Sequence, residues 1–99
     1  MRLKGIVWTK ESELDIDNIY EYYADISINL AIKIISEIVS ETEKLIFTEQ
    51  YQVDDINPNF RRIVVSNYKV LYEVNENEII IYAVFDSRRD SKILKKLKT

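Results

Sequence analysis

The chain contains neither histidine nor cysteine. Without cysteine it has no disulfide framework and no thiolate nucleophile. Without histidine it lacks the commonest general base and most transition-metal sites. A carboxylate-bound Mg²⁺ or Ca²⁺ remains chemically open, but no acidic loop has the spacing of an EF-hand. We therefore predict that the protein uses no cofactor and no metal.

Glycine and proline occur once each, and long apolar runs are missing. With so few chain breakers, no repeats and no low-complexity tract, we predict one domain over residues 1–99. No segment approaches the roughly eighteen consecutive apolar residues of a membrane span. The amino terminus has too short an apolar stretch for a signal peptide. These absences predict a cytoplasmic protein without a membrane partner.

Charge is unevenly distributed along the chain. Residues 1–58 hold five Lys/Arg against twelve Asp/Glu, which gives −7, and residues 59–99 hold nine against five, which gives +4. An acidic first part and a basic second part favour two surfaces with different partners. A mixed, solvated surface is the alternative interpretation.

Two helices are predicted in the acidic part. Thr9 ends a β-rich opening, "LKGIVWT", and can cap a helix from Lys10 to about Tyr23. Ser27 can cap a longer helix that reaches about Phe47. The predicted apolar face of the first helix comprises Leu14, Ile16, Ile19, Tyr20 and Tyr23, and that of the second comprises Ala31, Ile34, Ile35, Ile38, Thr42, Leu45 and Ile46.

Three β-rich runs follow a polar loop, "EQYQVDDINPN". The turns between "FRRIVV", "YKVLYEV" and "EIIIYAVF" are so short that the strands must be consecutive antiparallel neighbours. The last run is apolar on both faces, which is typical of a central strand. Asp90 or Ser91 can then cap a short terminal helix. The predicted fold is α+β, in the order β-α-α-β-β-β-α, with a helical hairpin on a mainly antiparallel four-stranded sheet.

The segment from Phe60 to Leu94 resembles the sheet and tail of the RelE/ParE toxins of bacterial type II toxin–antitoxin modules. It has an arginine-bearing strand, the tyrosine pattern "YKVLY", a hydrophobic strand and two arginines before the tail. Trp8-Thr9 at the end of a short first strand, followed by a helical hairpin, also fits, so that the resemblance spans nearly the whole chain. It implies a growth-inhibiting toxin that a cognate antitoxin protein neutralises.

RelE-like members of this family are ribosome-dependent mRNA endoribonucleases, which cut without metal by means of a comb of cations. Carried over by position, Arg62, Lys69 and Arg88 match catalytic cations of that branch. The second basic strand position is Val64, and Leu94 stands where a tail tyrosine is expected. No obvious proton acceptor is left, which weakens the nuclease interpretation, because losing one positioned acid or base costs roughly 10²–10⁴-fold in rate.

"RRIVVSNYKVLY" and "SRRDSKIL" resemble the ParE-like branch more closely. Members of that branch inhibit DNA gyrase by binding and need no catalytic group. In this interpretation Arg88 and Arg89 are contact residues. Alternatively, they form a structural turn in which they pair with Asp86 and Asp90. Arg61 and Arg62 alternate along their strand, so that only one of them can join a basic sheet face.

The antitoxin-contact surface is predicted from sheet edges, which invite strand addition, and from the basic amphipathic tail "KILKKLK". An ordinary surface helix is the alternative for that tail. The tyrosines on the strands, Tyr68, Tyr72 and Tyr82, can stack on bases or serve as sheet aromatics. A degenerate, inert antitoxin-binding module also stays open, as does a homodimer or a toxin–antitoxin hetero-oligomer. The predicted target or antitoxin contacts are Arg89, Tyr68, Lys92, Lys95 and Lys96.

Overall fold

The computed structural model describes residues 5–47 and 50–87. The elements in this part of the chain are β1 (Gly5–Trp8), α1 (Lys10–Ala24), α2 (Ile28–Glu43), β2 (Arg61–Val65), β3 (Tyr68–Asn75) and β4 (Glu78–Asp86). The order matches the prediction up to β4. The terminal helix predicted from Asp90 or Ser91 lies outside the described residues. No helix in the described ranges is both long enough and apolar enough to cross a membrane.

The predicted caps of both described helices are present. The Thr9 hydroxyl accepts a hydrogen bond from the Ser12 amide at 3.2 Å, and the Ser27 hydroxyl accepts one from the Leu30 amide at 3.3 Å. Each bond satisfies an amide that has no partner within the first helical turn. Because these caps depend on residues only three positions apart, local sequence predicts them well.

Helix α2 ends at Glu43, before the predicted boundary near Phe47. The Leu45 amide bonds the Thr42 carbonyl at 3.2 Å, so that the last turn tightens and the chain leaves the helical path. Leu45 is therefore buried as predicted, but Ile46 is 54% exposed and does not belong to the apolar stripe. The prediction for Ile46 was wrong because it extrapolated the helical period past this turn.

The apolar face of α1 also differs in part from the prediction. Ile16, Ile19 and Tyr23 pack against the core, whereas Leu14 is 52% exposed. Ser12 lies one turn before Ile16 and is fully buried, with its hydroxyl donating to the Thr9 carbonyl at 2.8 Å. The buried stripe thus passes through a small polar residue, and Leu14 and Tyr20 fall outside it.

The four strands form one sheet in the order β1-β4-β3-β2. The pairs β2–β3 and β3–β4 are antiparallel, which confirms the two predicted hairpins. Strand β1 pairs in parallel with β4, so the sheet is mixed. In the turn between β3 and β4, Glu76 and Asn77 both have positive φ, at 50° and 70°, as the backbone of a tight hairpin requires.

The sheet has two differently covered faces. The helical hairpin covers the inner face, where Ile38 and Leu45 join the sheet residues Ile63, Val65, Tyr68, Val70, Tyr72, Ile79, Ile81 and Val84 in the main core. On the outer face, Phe60 and Leu71 form a smaller cluster with Tyr82 and Phe85. Strand β4 therefore lies in the sheet interior and is apolar on both faces, as its sequence predicts.

Candidate functional site

Two cations lie on neighbouring strands of the outer face. Arg62 on β2 is opposite Leu71 on β3, and Lys69 on β3 is opposite Val64 on β2. Arg62 and Lys69 were both matched to the nuclease comb, and the structure brings them together. Arg61 has the opposite orientation, and its Nη1 donates to the Tyr51 carbonyl at 2.7 Å. Only one of the two adjacent arginines thus joins the basic face, as strand alternation predicts.

The carboxylate of Asp54 is the centre of this cluster. Its Oδ1 lies 3.1 Å from Lys69 Nζ and 3.9 Å from Arg62 Nη1, and the Asp54 side chain is completely buried. Its Oδ2 accepts hydrogen bonds from the amides of Ile56 at 3.0 Å and Asn57 at 2.8 Å. Asp54 therefore joins the loop before β2 to the cations of the sheet.

Backbone hydrogen bonds within the same loop, between residues 54 and 60, hold its two ends together. The Asp54 amide donates to the Phe60 carbonyl at 2.8 Å, and the Phe60 amide donates to the Asn57 carbonyl at 3.1 Å. Phe60 is 2% exposed and packs edge-on against Tyr82, with ring centroids 5.3 Å apart. The loop is consequently fixed by apolar packing at one end and by charge at the other.

The environment of Asp54 keeps its carboxylate ionised. Burial raises the pKa of Asp54, but hydrogen bonds from the Asn57 amide and from Lys69, the charge of Lys69 and the Ile56 amide together outweigh burial and lower it. A carboxylate with a lowered pKa, already shared between two cations, is a weak proton acceptor. Asp54 therefore does not supply the missing general base.

Asp55 contacts the same two cations from the solvent side. Its Oδ1 lies 3.4 Å from Arg62 Nη1 and 3.7 Å from Lys69 Nζ, and its side chain is 75% exposed. Arg62 also donates to the Val53 carbonyl at 3.0 Å and to Gln52 Oε1 at 3.4 Å. Val64, at the position of the second basic residue of the nuclease branch, is 58% exposed. Arg62 and Lys69 are thus balanced locally by two carboxylates, those of Asp54 and Asp55.

The strand tyrosines divide between the faces. Tyr68 is on the inner face at 8% exposure, and its hydroxyl donates to that of Tyr23 at 3.0 Å. Tyr72 is fully buried, and Tyr82 belongs to the outer cluster. All three are sheet aromatics, in line with the second of the two interpretations. The structure places Tyr68 on the opposite side of the sheet from Lys69 and Arg62, and its role as a contact residue stays a prediction.

The remaining predicted site residues belong to the end of the chain, beyond residue 87. Those that lie outside the described residues are Arg88, Arg89, Lys92, Lys95 and Lys96, together with Asp90 and Leu94. Their assignments stay predictions. Among the described residues, no group of His, Cys, Asp or Glu side chains is arranged to hold a metal ion.

Sequence reasoning missed the role of the loop carboxylates. "QVDDINPNF" was interpreted as a polar connection, although an aspartate followed by a turn with asparagine and proline can bond its own backbone. An acidic pair shortly before a strand beginning with two arginines was the available signal. The pairing with Lys69, fifteen positions away from Asp54, depends on strand register and has no local signal.

Asp15 of α1 is a second carboxylate that sequence reasoning did not single out. Strand β1 ends at Trp8, opposite Ile81, and the amide of Val84 further along β4 donates to Asp15 Oδ2 at 2.9 Å. Burial raises the pKa of Asp15, the Val84 amide partly lowers it, and Glu11 raises it further. The Asp15 carboxylate thus accepts the hydrogen bond of a β4 amide that lies beyond the end of β1 and has no β1 residue opposite it.

Comparison with known proteins agrees with this architecture. The family described as "ParE toxin of type II toxin-antitoxin system, parDE" matches residues 6–91. A solved structure of the "Chromosomal ParDE TA system from P. aeruginosa" superposes with a TM-score of 0.72 at 21% sequence identity, covering 83% of this chain and 94% of that one. No curated protein matches the sequence. Because the family match covers most of the chain and the superposition reproduces the fold, the chain belongs to the ParE toxin family of type II toxin–antitoxin systems.

Proposed function

We propose that the protein is a toxin that binds and inhibits a cellular target such as DNA gyrase, and that a cognate antitoxin neutralises it. The observation that carries this proposal is the internal pairing of Arg62 and Lys69 with Asp54 and Asp55. Membership of the ParE family supports the type of module and the presence of an antitoxin partner. We further propose that the protein acts in the cytoplasm.

Cleavage of RNA without a metal needs a proton acceptor, a cation for the phosphate in the transition state, and an acid for the leaving oxygen. The two described cations of the outer face are already paired with Asp54, and Asp54 is a weak base. Val64 adds no third charge next to them. Inhibition by binding needs none of these groups, so it fits the described face better than RNA cleavage does.

Among the described residues, two surfaces of this chain suit contact with an antitoxin. Strand β2 lies at one edge of the sheet, and the loop covers only its start, where the Arg62 amide donates to the Gln52 carbonyl at 3.0 Å. The following edge at Val64 suits strand addition. Around the tip of the helical hairpin, Tyr22, Ile26, Ile28 and Ile32 are each more than half exposed and suit an apolar partner segment.

The test is induction of the protein without its antitoxin, followed by parallel measurements of translation, mRNA integrity and supercoiling by purified gyrase. We expect inhibited supercoiling while transcripts stay intact. Cleavage of transcripts on ribosomes, abolished by Lys69→Ala or Arg88→Ala, would replace the proposal by the RelE-like nuclease function. Normal growth with a folded protein would instead identify an inert antitoxin-binding module.

A further inference from the structure

Arg62 and Lys69 converge on a single anion position on the outer face. Lys69 Nζ is 3.1 Å from Asp54 Oδ1 and 3.7 Å from Asp55 Oδ1. Arg62 Nη1 is 3.4 Å from Asp55 Oδ1 and 3.9 Å from Asp54 Oδ1. One oxygen of each carboxylate therefore lies between the same two cations. Two such cations on adjacent strands are the arrangement that grips a phosphate group when no internal anion is present.

We propose that Asp54 and Asp55 are specificity determinants that fill the anion position of Arg62 and Lys69 from within the chain and thereby exclude phosphate groups from the outer face. Arginine and lysine on a sheet surface otherwise attract any phosphate-bearing polymer, because neutralising phosphates drives non-specific nucleic-acid binding. The loop carboxylates remove that attraction while the cations remain in place. The face is then available to a protein partner rather than to RNA or DNA.

The two carboxylates contribute differently to this exclusion. Asp54 is fixed, since two amides hold its Oδ2 and its side chain is completely buried. Its Oδ1 cannot leave the cations without opening the loop. Asp55 is 75% exposed and lies at longer distances, so it is exchangeable. Asp54 therefore occupies the position, and Asp55 repels a second anion that approaches from solvent.

This inference deepens the proposed function, because a face closed to phosphate cannot hold an RNA backbone for cleavage. It does not require gyrase to be the target. A phosphate titration measures the site directly, whereas the supercoiling assay measures the target. The phosphate result can therefore contradict this inference without contradicting gyrase inhibition, and the supercoiling result can contradict gyrase inhibition without contradicting this inference.

The experiment titrates inorganic phosphate into the full-length wild type, Asp55→Asn and the double variant Asp54→Asn/Asp55→Asn, at an ionic strength held constant with chloride. Asp17→Asn is the matched control, because Asp17 is exposed on α1 and its replacement removes the same charge. The measurements are NMR shifts of the Arg62 and Lys69 side chains and the rise of the thermal midpoint beyond that of Asp17→Asn. The control is needed because phosphate stabilises any folded protein by exclusion from its surface, whereas binding adds a further, saturable rise.

We expect no saturable response from the wild type or Asp17→Asn and a weak response from Asp55→Asn. The double variant should saturate at a phosphate concentration at least about tenfold lower than Asp55→Asn does, which corresponds to about 1.4 kcal/mol of binding free energy. Saturation of the wild type at the same concentration as the variants would overturn the proposal. So would a folded double variant that does not respond, or an Asp17→Asn control that responds like Asp55→Asn. Should the double variant fail to fold, the comparison of Asp55→Asn with Asp17→Asn decides.

Discussion

The two faces of the sheet are stabilised in different ways. The inner face is a continuous apolar core between the strands and the helical hairpin, with polar groups in a few satisfied pairs such as Tyr68 and Tyr23. The outer face combines a small aromatic cluster with a buried carboxylate between two cations. Among the described residues, no buried side-chain nitrogen or oxygen lacks a hydrogen-bond partner.

The difference shows how one sheet can carry both a stabilising core and a charged candidate site. Burial of apolar area on the inner face is non-directional and supplies most of the favourable free energy of folding. The charged cluster on the outer face contributes less, since desolvation offsets much of the attraction between buried ions. Its effect is on geometry and charge, because it fixes the loop and neutralises the face.

The largest expected effect tests the inner face. Ile38→Ala should lower the free energy of unfolding by about 2–5 kcal/mol, because a buried methyl-rich side chain is removed and a cavity remains. Ile38 is 1% exposed, whereas Ile32 in the same helix is 51% exposed. Ile32→Ala is therefore the matched control, with an expected change within about 0.5 kcal/mol. Urea denaturation of both variants measures the difference, and equal losses would contradict the assignment of the core.

A smaller effect is expected on the outer face. Asp54→Asn should lower the free energy of unfolding by about 1–3 kcal/mol, because Lys69 and Arg62 lose their buried partner. Asp55→Asn should cost no more than about 1 kcal/mol, since its contacts are exposed. Urea denaturation distinguishes the two. Equal costs for both substitutions would refute the distinction between a fixed and an exchangeable carboxylate.

The contribution of Asp54 should also depend on pH with a defined sign. The pKa of Asp54 is lowered in the folded state, so the ionised form stabilises the fold. This stabilisation is fully present above the ordinary carboxyl pKa of about 3.9 and is lost as pH falls through the lowered value. The stability gap between wild type and Asp54→Asn should therefore be constant near neutral pH and narrow below about pH 4.

The smallest expected effect concerns the junction between helix α1 and β4. The raised pKa of Asp15 means that its ionised form costs stability, and this cost disappears as pH falls below the unfolded-state value of about 3.9. The amide oxygen introduced by Asp15→Asn would still accept from the Val84 amide, so this substitution should leave stability at neutral pH unchanged or raise it by up to about 1 kcal/mol. That gain should vanish in acid. Asp15→Ala, which loses the acceptor, should instead destabilise by about 0.5–1.5 kcal/mol in the same denaturation assay.

Much of the fold was predictable because its signals are local. The Thr9 and Ser27 caps involve bonds across three residues, and the two hairpins follow from turns too short for any other connection. The candidate site was predictable only in part. The family resemblance matched Arg62 and Lys69 to cations of one sheet face, and period-two alternation predicted that only one of Arg61 and Arg62 joins that face. The acidic pair Asp54-Asp55 was a local signal for a partner of the arginines, but its pairing with Lys69 depends on strand register.

The sequence by itself determined the α+β class and the order of the elements along the chain, because periodicity, caps and turn lengths depend on neighbouring residues. Particular residue patterns, such as "YKVLY" and Trp8-Thr9, carried the resemblance to a toxin family. Tertiary structure alone decided the parallel pairing of β1 with β4, the contact of Asp15 with Val84 and the burial of Asp54 between two cations. These contacts join residues far apart in the chain, and they stabilise the protein only once the sheet has formed and excluded water. For this reason Arg62 and Lys69, which the resemblance matched to catalytic cations of the nuclease branch, are in the folded protein the internal partners of two aspartates.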